Sequence, residues 1–295
     1  MKVAIYGQVY QKNSLEPIET LFGVLSDREF NVHVEEAFFN LVNEEPELKV
    51  NLKGFKTFTS LDPSFDLLIS VGGDGTILRA VTYIRDLGIP IVGINTGRLG
   101  FLATIQEDLI EKAINDIVEG RYRISKRSLL TVSFEPADDE GLFDFPSALN
   151  EVAISRKNTT SMITVKTSLN GEYLTSYWAD GLIVSTPTGS TGYSLSCGGP
   201  VIMPETHSLT ITPIAPHNLN ARPLVIEDST EIRLKISGRE DSYLVSLDSR
   251  IATVDKDTTL IVKKADFKVK MIDLHDESFL NTLRKKLLWG EDKRN

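Results

Sequence analysis

Over the first 125 positions, apolar residues fall alternately into short unbroken runs and into helical spacing, the texture of a parallel α/β sheet. Residues 3 to 6 read as a first strand. Leu15, Ile18, Leu21, Phe22 and Leu25 then line one face of a helix behind Ser14, a candidate N-cap, and Val32 and Val34 mark the next strand. Residues 67 to 71 form another buried strand, Ile77, Leu78, Val81 and Ile84 a helix, and Ile89 to Ile94 a strand. Leu109, Ile110, Ala113, Ile114 and Ile117 line a further helix that stops at Gly120. The repeated strand-helix-strand order predicts a doubly wound sheet.

Beyond residue 125 the pattern changes to short strand-like runs broken by turns. Asn170-Gly171, between Ile163–Thr167 and Tyr173–Tyr177, predicts a type I′ hairpin. Leu182–Ser185, Leu209–Ile214, Glu231–Ile236, Tyr243–Leu247, Thr258–Val262 and Phe267–Met271 are further candidate strands of a sandwich or layered β domain. A final amphipathic helix carries Phe279, Leu280, Leu283, Leu287 and Leu288, and the β-rich half offers no helical layer to receive it. The expected architecture is therefore an α/β N-terminal domain over 1–125, with 274–295 packing back on it, and a mainly β C-terminal domain over 126–273.

Composition narrows the function. A formal net charge of −9 speaks against a general nucleic-acid or membrane-surface binder, so any anionic ligand must be held locally. The basic stretch Arg121–Arg127 alternates with uncharged residues and reads as a solvated strand face, and the acidic tract Asp138–Asp144 as an exposed loop. The single cysteine, Cys197, fits a reducing compartment and a small packing residue. With no long apolar stretch and no leader-like start, a cytoplasmic protein with no membrane partner is expected.

Candidate chemistry sits at two places. Gly72-Gly73-Asp74-Gly75-Thr76 follows the buried strand directly, so the chain turns on glycines around one carboxylate. Such a turn lets backbone N–H groups approach phosphate oxygens, and Thr76 is a candidate cap for a helix whose positive end favours anions. Beside phosphates, Asp74 would either hold Mg²⁺ or accept a proton from an attacking hydroxyl, both steps of phosphoryl transfer. Asn95–Leu102 is a second glycine turn after a strand, placed to lie near the first at the carboxyl edge of the sheet. The other place is Asp180–Pro200, where a strand empties into hydroxyls and glycines suited to ribose, base edges and amides. Gly189, Gly192, Gly198 and Gly199 permit close approach or positive φ there. Asn150-Glu151 adds an amide beside a carboxylate.

These segments, with Pro216–Leu224 and the terminal Leu283–Gly290, occur in an order that resembles the bacterial NAD kinases. Gly-Gly-Asp-Gly-Thr alone is shared with diacylglycerol and sphingosine kinases and more distantly with phosphofructokinases, and Thr186–Ser194 separates this chain from them. The resemblance implies transfer of a phosphoryl group from ATP, with Mg²⁺ or another divalent cation, to the 2′-hydroxyl of the adenosine ribose of NAD. Asp74 would be catalytic, and Gly72, Gly73, Gly75, Thr76, Arg79 and Asn95 would surround the phosphates and the donor. Asn150 and Glu151 would hold the adenosine end, and Thr191, Gly192 and Tyr193 would line the adenine pocket with Thr188 and Ser194 in the same loop. Ser196 would lie near the nicotinamide, and His217 matches a family position near the site, with a packing histidine as the alternative. Asp180 would reach the carboxamide across a subunit interface, implying a homodimer or homotetramer. Three departures stand out: Gly192 where many relatives have Ala, which loosens the pocket slightly, Trp178 where Gly or Arg is common, and Arg250 where many have Gln. A lipid kinase and a non-catalytic NAD(P) sensor are the alternatives. The first lacks a membrane-docking stretch, and the second has little use for Asp74.

Overall fold

The computed structural model describes residues 1–8, 15–28, 30–136, 141–157, 161–218, 220–275 and 278–288. Ser14, residues 138–140 of the acidic tract, Leu219, Trp289 and Gly290 lie outside the described residues. The chain divides into two compact units, Met1–Lys126 with Val269–Asn295, and Arg127–Lys268.

The first unit runs β1 (Lys2–Gly7), α1 (Leu15–Ser26), β2 (Asn31–Glu35), α2 (Glu36–Glu44), β3 (Lys56–Phe58), β4 (Leu67–Val71), α3 (Asp74–Ile84), β5 (Ile91–Ile94) and α4 (Ile110–Val118). Its strands lie in the order β3-β2-β1-β4-β5, every neighbouring pair parallel. Side chains alternate across each strand, and both faces are filled. Val3, Ile5, Ile69, Val71, Val92 and Ile94 join one core with Ile18, Leu21, Phe22 and Leu25 of α1 and Ile110, Ala113, Ile114 and Ile117 of α4. On the opposite face Gly93 of β5 meets Ile77 of α3, where a Cβ would come within 2.4 Å of the isoleucine. Helices therefore cover both faces, the doubly wound arrangement that the spacing predicts. Strand order reverses between β1 and β4, and the Gly72–Thr76 turn leaves the carboxyl end of β4 at that reversal, where such sheets place their ligands.

The second unit holds β6 (Tyr122–Glu135, from Arg127 on), β7 (Ser147–Ala148), β8 (Glu151–Arg156), β9 (Ile163–Leu169), β10 (Glu172–Ala179), β11 (Gly181–Ser185) and the single-turn α5 (Tyr193–Ser196). It continues through β12 (Ser208–Ile214), β13 (Leu224–Glu227), β14 (Ile232–Ser237), β15 (Ser242–Leu247), β16 (Arg250–Asp255) and β17 (Thr259–Leu274, to Lys268). One antiparallel sheet runs β13-β12-β11-β8-β15-β16, and β10-β9-β14-β17 forms a second. Val152, Ile154, Leu182, Val184, Val245 and Leu247 of the first pack with Ile163, Val165, Ile232, Leu234 and Ile236 of the second, which makes the unit a sandwich.

Two expectations change. Thr258–Val262 and Phe267–Met271 are one 16-residue strand, β17, because no glycine or proline interrupts the run between them. From Val269 on it belongs to the first unit, where Met271 pairs in parallel with Ile91 of β5. The basic stretch is mostly exposed as expected, but Arg127 is buried. The terminal helix α6 (Phe279–Leu287) belongs to the first unit, with Phe279 6.1 Å from the Phe101 ring.

At the β9–β10 turn Asn170 and Gly171 have φ of 50° and 85°, as a type I′ hairpin requires. Replacing Gly171 with Ala puts a Cβ on a left-handed residue, and we expect a loss of about 1 kcal/mol in urea unfolding. An unchanged midpoint would show that the turn relaxes to another geometry.

Candidate functional site

In the first unit the chemistry is built around the Asp74 carboxylate. Gly72, at φ 147°, makes the turn out of β4, and a Cβ there would lie 2.3 Å from Thr76 Oγ1. Helix α3 then starts at Asp74 with Gly73 as N-cap and no side-chain cap. Thr76 is therefore not the cap that the sequence suggests. It is the third helical residue, buried under Gly72, because the glycine turn lets the helix begin three residues earlier. Gly73 and Gly75 have nothing within 4 Å of a would-be Cβ, so the approach to the start of α3 is open.

Asp74 accepts three backbone hydrogen bonds from one loop. Leu102 N and Ala103 N donate to Oδ1 at 3.0 and 2.9 Å, and Phe101 N donates to Oδ2 at 2.8 Å. Charge-assisted bonds of this kind are about twice as strong as neutral ones. Gly100 makes the geometry possible, since a Cβ there would stand 1.9 Å from Asp74 Oδ1. Oδ1 is saturated, so the remaining acceptor capacity of the carboxylate is on Oδ2.

Asn95 is spent on the same loop. Its amide donates to Arg98 O at 2.7 Å and Ala103 O at 3.1 Å and accepts from Gly97 N at 2.7 Å. At 4 % exposure it shapes the loop, with both its amide groups engaged inside the protein. Lys286 of α6 donates to Leu99 O and lies 5.6 Å above the Phe101 ring, closing the loop from its other side. Arg79 is exposed on α3, and its charge acts on the Tyr6 phenol, which burial pushes up to about 12. A cavity of about 660 Å³ in this unit touches Asn95–Gly97 but no residue of Gly72–Thr76. Glu107, Asp108 and Glu111 line it, so it does not suit a phosphate.

In the second unit, Asn150 and Glu151 stand at the start of β8, held from behind by Asp248. This residue, at φ 54° in the turn between β15 and β16, accepts from Leu149 N at 3.0 Å, Asn150 N at 2.8 Å and Glu151 N at 3.2 Å. Arg250 donates to the carbonyls of Phe145 and Ser147, bracing the segment that leads into Asn150. Glu151 is buried, and its Oε2 and the Asn150 Oδ1 have no hydrogen-bond partner among the described residues. Burial first, and then the Asp248 charge, push the Glu151 carboxyl up to about 8, against the opposing bond from the Tyr193 amide.

The hydroxyl-rich loop mostly serves itself. Thr186 donates to Leu149 O at 2.6 Å, Ser190 to Pro187 O at 2.6 Å and Thr191 to Thr188 O at 3.2 Å. Ser194 is fully buried, with its hydroxyl 2.8 Å from that of Thr212. Gly189 and Gly199 have an internal reason to be glycine, since a Cβ would strike Asn150 O at 2.1 Å and Ser194 Oγ at 2.2 Å. A Cβ on Gly192 would lie 2.9 Å from Glu151 Oε2 and 3.2 Å from Asn150 Nδ2, so the residue roofs this pair tightly instead of merely loosening a pocket. Tyr193 and Ser196 remain exposed beside it, while Thr188 is buried. Asp180 is paired with Arg156 at 2.9 Å, and His217 stacks on Trp178 at 4.3 Å while its amide donates to Trp178 O.

Sequence reasoning missed the donors to Asp74 and the role of Asp248. Amides of Phe101–Ala103 carry no side-chain signal. For Asp248 there was one: an aspartate in a two-residue turn between alternating strands tolerates positive φ. Gly100→Ala must break at least one bond to Asp74, and we expect the chain to lose about 1–3 kcal/mol with faster amide exchange at 101–103. Unaltered exchange at those three amides would refute this packing of the loop.

Comparison with known proteins bears on both units. Residues 3–122 match the ATP-NAD kinase N-terminal domain and residues 149–274 the ATP-NAD kinase C-terminal domain. The NAD kinases of Christiangramia forsetii and Flavobacterium psychrophilum are 59% and 57% identical to this chain, over 100% of both proteins in each case. That of Bacteroides fragilis is 42% identical, again over the full length of both. The crystal structure of a yeast NADH kinase complexed with NADH shares the fold, with a TM-score of 0.85 at 23% identity over 99% of this chain and 88% of that one. An Archaeoglobus fulgidus NAD kinase in complex with ATP gives 0.75 at 25% identity, over 98% and 99%. From both halves of its length and from these relatives, the chain belongs to the ATP-NAD kinase family.

Proposed function

We propose that this chain transfers the γ-phosphoryl group of ATP to the 2′-hydroxyl of the adenosine ribose of NAD, giving NADP. The observation that carries the reading is the Asp74 carboxylate, fixed by three amides at the open start of α3 in a chain of this family. In the step itself a bond forms from the ribose O2′ to the γ-phosphorus while the bond to the departing ADP oxygen breaks. Asp74 orients the hydroxyl and takes its proton through Oδ2, the oxygen with capacity left. Amides of Gly73 and Gly75 face the donor phosphates from the α3 N-terminus, the Thr76 amide being spent on Gly73 O at 3.0 Å.

The dinucleotide is held by the second unit. Asn150 Oδ1 and Glu151 Oε2, buried and unpartnered, are the atoms that gain most from a ligand. Tyr193 offers a stacking face, Thr188, Thr191 and Gly192 shape the pocket, and Ser196 and Asp180 serve the nicotinamide end. Among the described residues no three of His, Cys, Asp or Glu group as a cation cage, so we assign no metal ligand, and Mg²⁺ enters as the counter-ion of ATP. A second copy of the chain fits the edge strand β10, which exposes Tyr173 and Trp178 at 56% and 45%, and we infer a homodimer or homotetramer. No helix among the described residues is long and apolar enough to cross a membrane. With one cysteine in the chain, we place the enzyme in the cytoplasm.

Incubation with ATP-Mg²⁺ and NAD should yield a 2′-phosphorylated dinucleotide. Asp74→Asn should cut turnover by about 10²-fold or more while the NAD dissociation constant changes only a few-fold. Near-normal turnover would remove Asp74 from the chemistry.

A further inference from the structure

Two buried carboxyl residues of the second unit are direct neighbours, Asp248 accepting from the Glu151 backbone N–H at 3.2 Å, and their surroundings differ. Asp248 takes three backbone N–H bonds, and the Arg250 guanidinium lies 4.0 Å from its Oδ2. Glu151 receives only the Tyr193 amide, and its Oε2 faces no donor at all among the described residues. Two negative charges cannot both be kept at such a site, and the proton settles on the group with fewer donors. Burial leaves the Asp248 carboxyl raised as well, but three amides and Arg250 stand against that burial where Glu151 has a single amide, and this difference in donors places the charge on Asp248.

We propose that Asp248 is a positioning residue: by taking the amides of Leu149, Asn150 and Glu151 together with the shared charge, it keeps the Glu151 carboxyl neutral and aimed at the ligand as a hydrogen-bond donor. Under Gly192 the Glu151 carboxyl lies beside the Asn150 amide nitrogen, and the Asn150 Oδ1 has no partner among the described residues, so the pair adds one unspent acceptor to the carboxyl donor. The remaining titratable neighbours reinforce this state. The Tyr193 phenol on α5 is itself pushed up, by burial first and then by Cys197, Asp180 and Glu151, so it brings no charge to Glu151 near neutral pH. Ser185, directly opposite Glu151 across β8 and β11, is uncharged and likewise unpartnered at Oγ. Arg250 spends its guanidinium on the Phe145 and Ser147 carbonyls and on Asp248.

The inference rests on the reading that Asn150 and Glu151 contact the dinucleotide, and its test separates the two. In the free enzyme, the ¹³C carboxyl resonance of Glu151, assigned by its loss in Glu151→Gln, should titrate near 8. In Asp248→Asn that midpoint should fall by about one unit or more, because the charge that opposes ionisation is gone. Should Asp248→Asn not fold, the Asp248 resonance reads the same coupling: its inflection near pH 8 should vanish in Glu151→Gln. NAD affinity, followed by calorimetry, should weaken roughly five- to tenfold in the wild type between pH 7 and pH 9 as the donor proton is lost, and by less than about twofold in Glu151→Gln. A Glu151 midpoint in the ordinary carboxylate range, a midpoint unmoved by Asp248→Asn, or a Glu151→Gln enzyme that keeps the alkaline loss would each overturn the proposal. If NAD binds at no pH, the functional reading fails while the titration still decides the Asp248–Glu151 assignment.

Discussion

Three consecutive backbone N–H groups aimed at one carboxylate is the constraint on which each unit depends. In the first, Asp74 gathers Phe101, Leu102 and Ala103, and in the second, Asp248 gathers Leu149, Asn150 and Glu151. A loop turned inward this way has no strand to pair its amides, and buried amides left unpaired would cost about 1–3 kcal/mol each. One aspartate offsets that cost three times over, and the same bonds fix the carboxylate to a single position. The two cases then diverge in accessibility. Asp248 is sealed beneath its loop, at 3% side-chain exposure, whereas Asp74 stands at the first residue of α3 beside glycines that leave space open. The same device serves as a structural brace in one place and as an aimed functional group in the other.

The bracing carries an electrostatic consequence that packing alone would not. Asp248 has three amide donors where Glu151 has one, so with the charge placed on Asp248, Glu151 is the group that yields its own. As a carboxyl raised well above its ordinary value, Glu151 contributes stability that is full below about pH 4.5 and drains away as pH climbs toward 8. The fold therefore tolerates Glu151 at a cost at neutral pH. An apolar residue of similar size would relieve that cost, which makes its presence an argument for a job outside folding.

Much of this was legible in the residues. Helical spacing in 15–25 and 109–117 and the apolar runs at 3–6 and 67–71 gave the parallel sheet, since both faces must be covered and only helices of that spacing can cover them. The Asn170-Gly171 turn was readable because only a few residue pairs tolerate two positive φ values. The failures share a cause. Thr76 as a cap and the break within β17 were both judged from side-chain type, whereas the outcome was set by where the backbone ran. Side-chain composition announces hydrogen-bonding capacity, but whether that capacity is spent inside the protein depends on contacts between residues far apart in the chain, such as Ser194 with Thr212 or Glu151 with Asp248.

Recognition by the second unit then reduces to the capacity left over. Asp180–Pro200 is rich in hydroxyls, yet Thr186, Ser190, Thr191 and Ser194 are bonded within the protein. These bonds make the loop stiff, and a stiff loop loses little entropy when a ligand arrives. Beside it, Asn150 Oδ1, Glu151 Oε2 and Ser185 Oγ are buried with no partner among the described residues. Each is a penalty in the free protein that a matching ligand atom removes, so the difference between the right and the wrong ligand at this point is the full cost of a stranded polar group instead of the small net value of an exchanged hydrogen bond. The abundance of hydroxyls in the sequence thus builds the frame, and under the proposed function specificity falls to the few polar atoms that the frame does not satisfy.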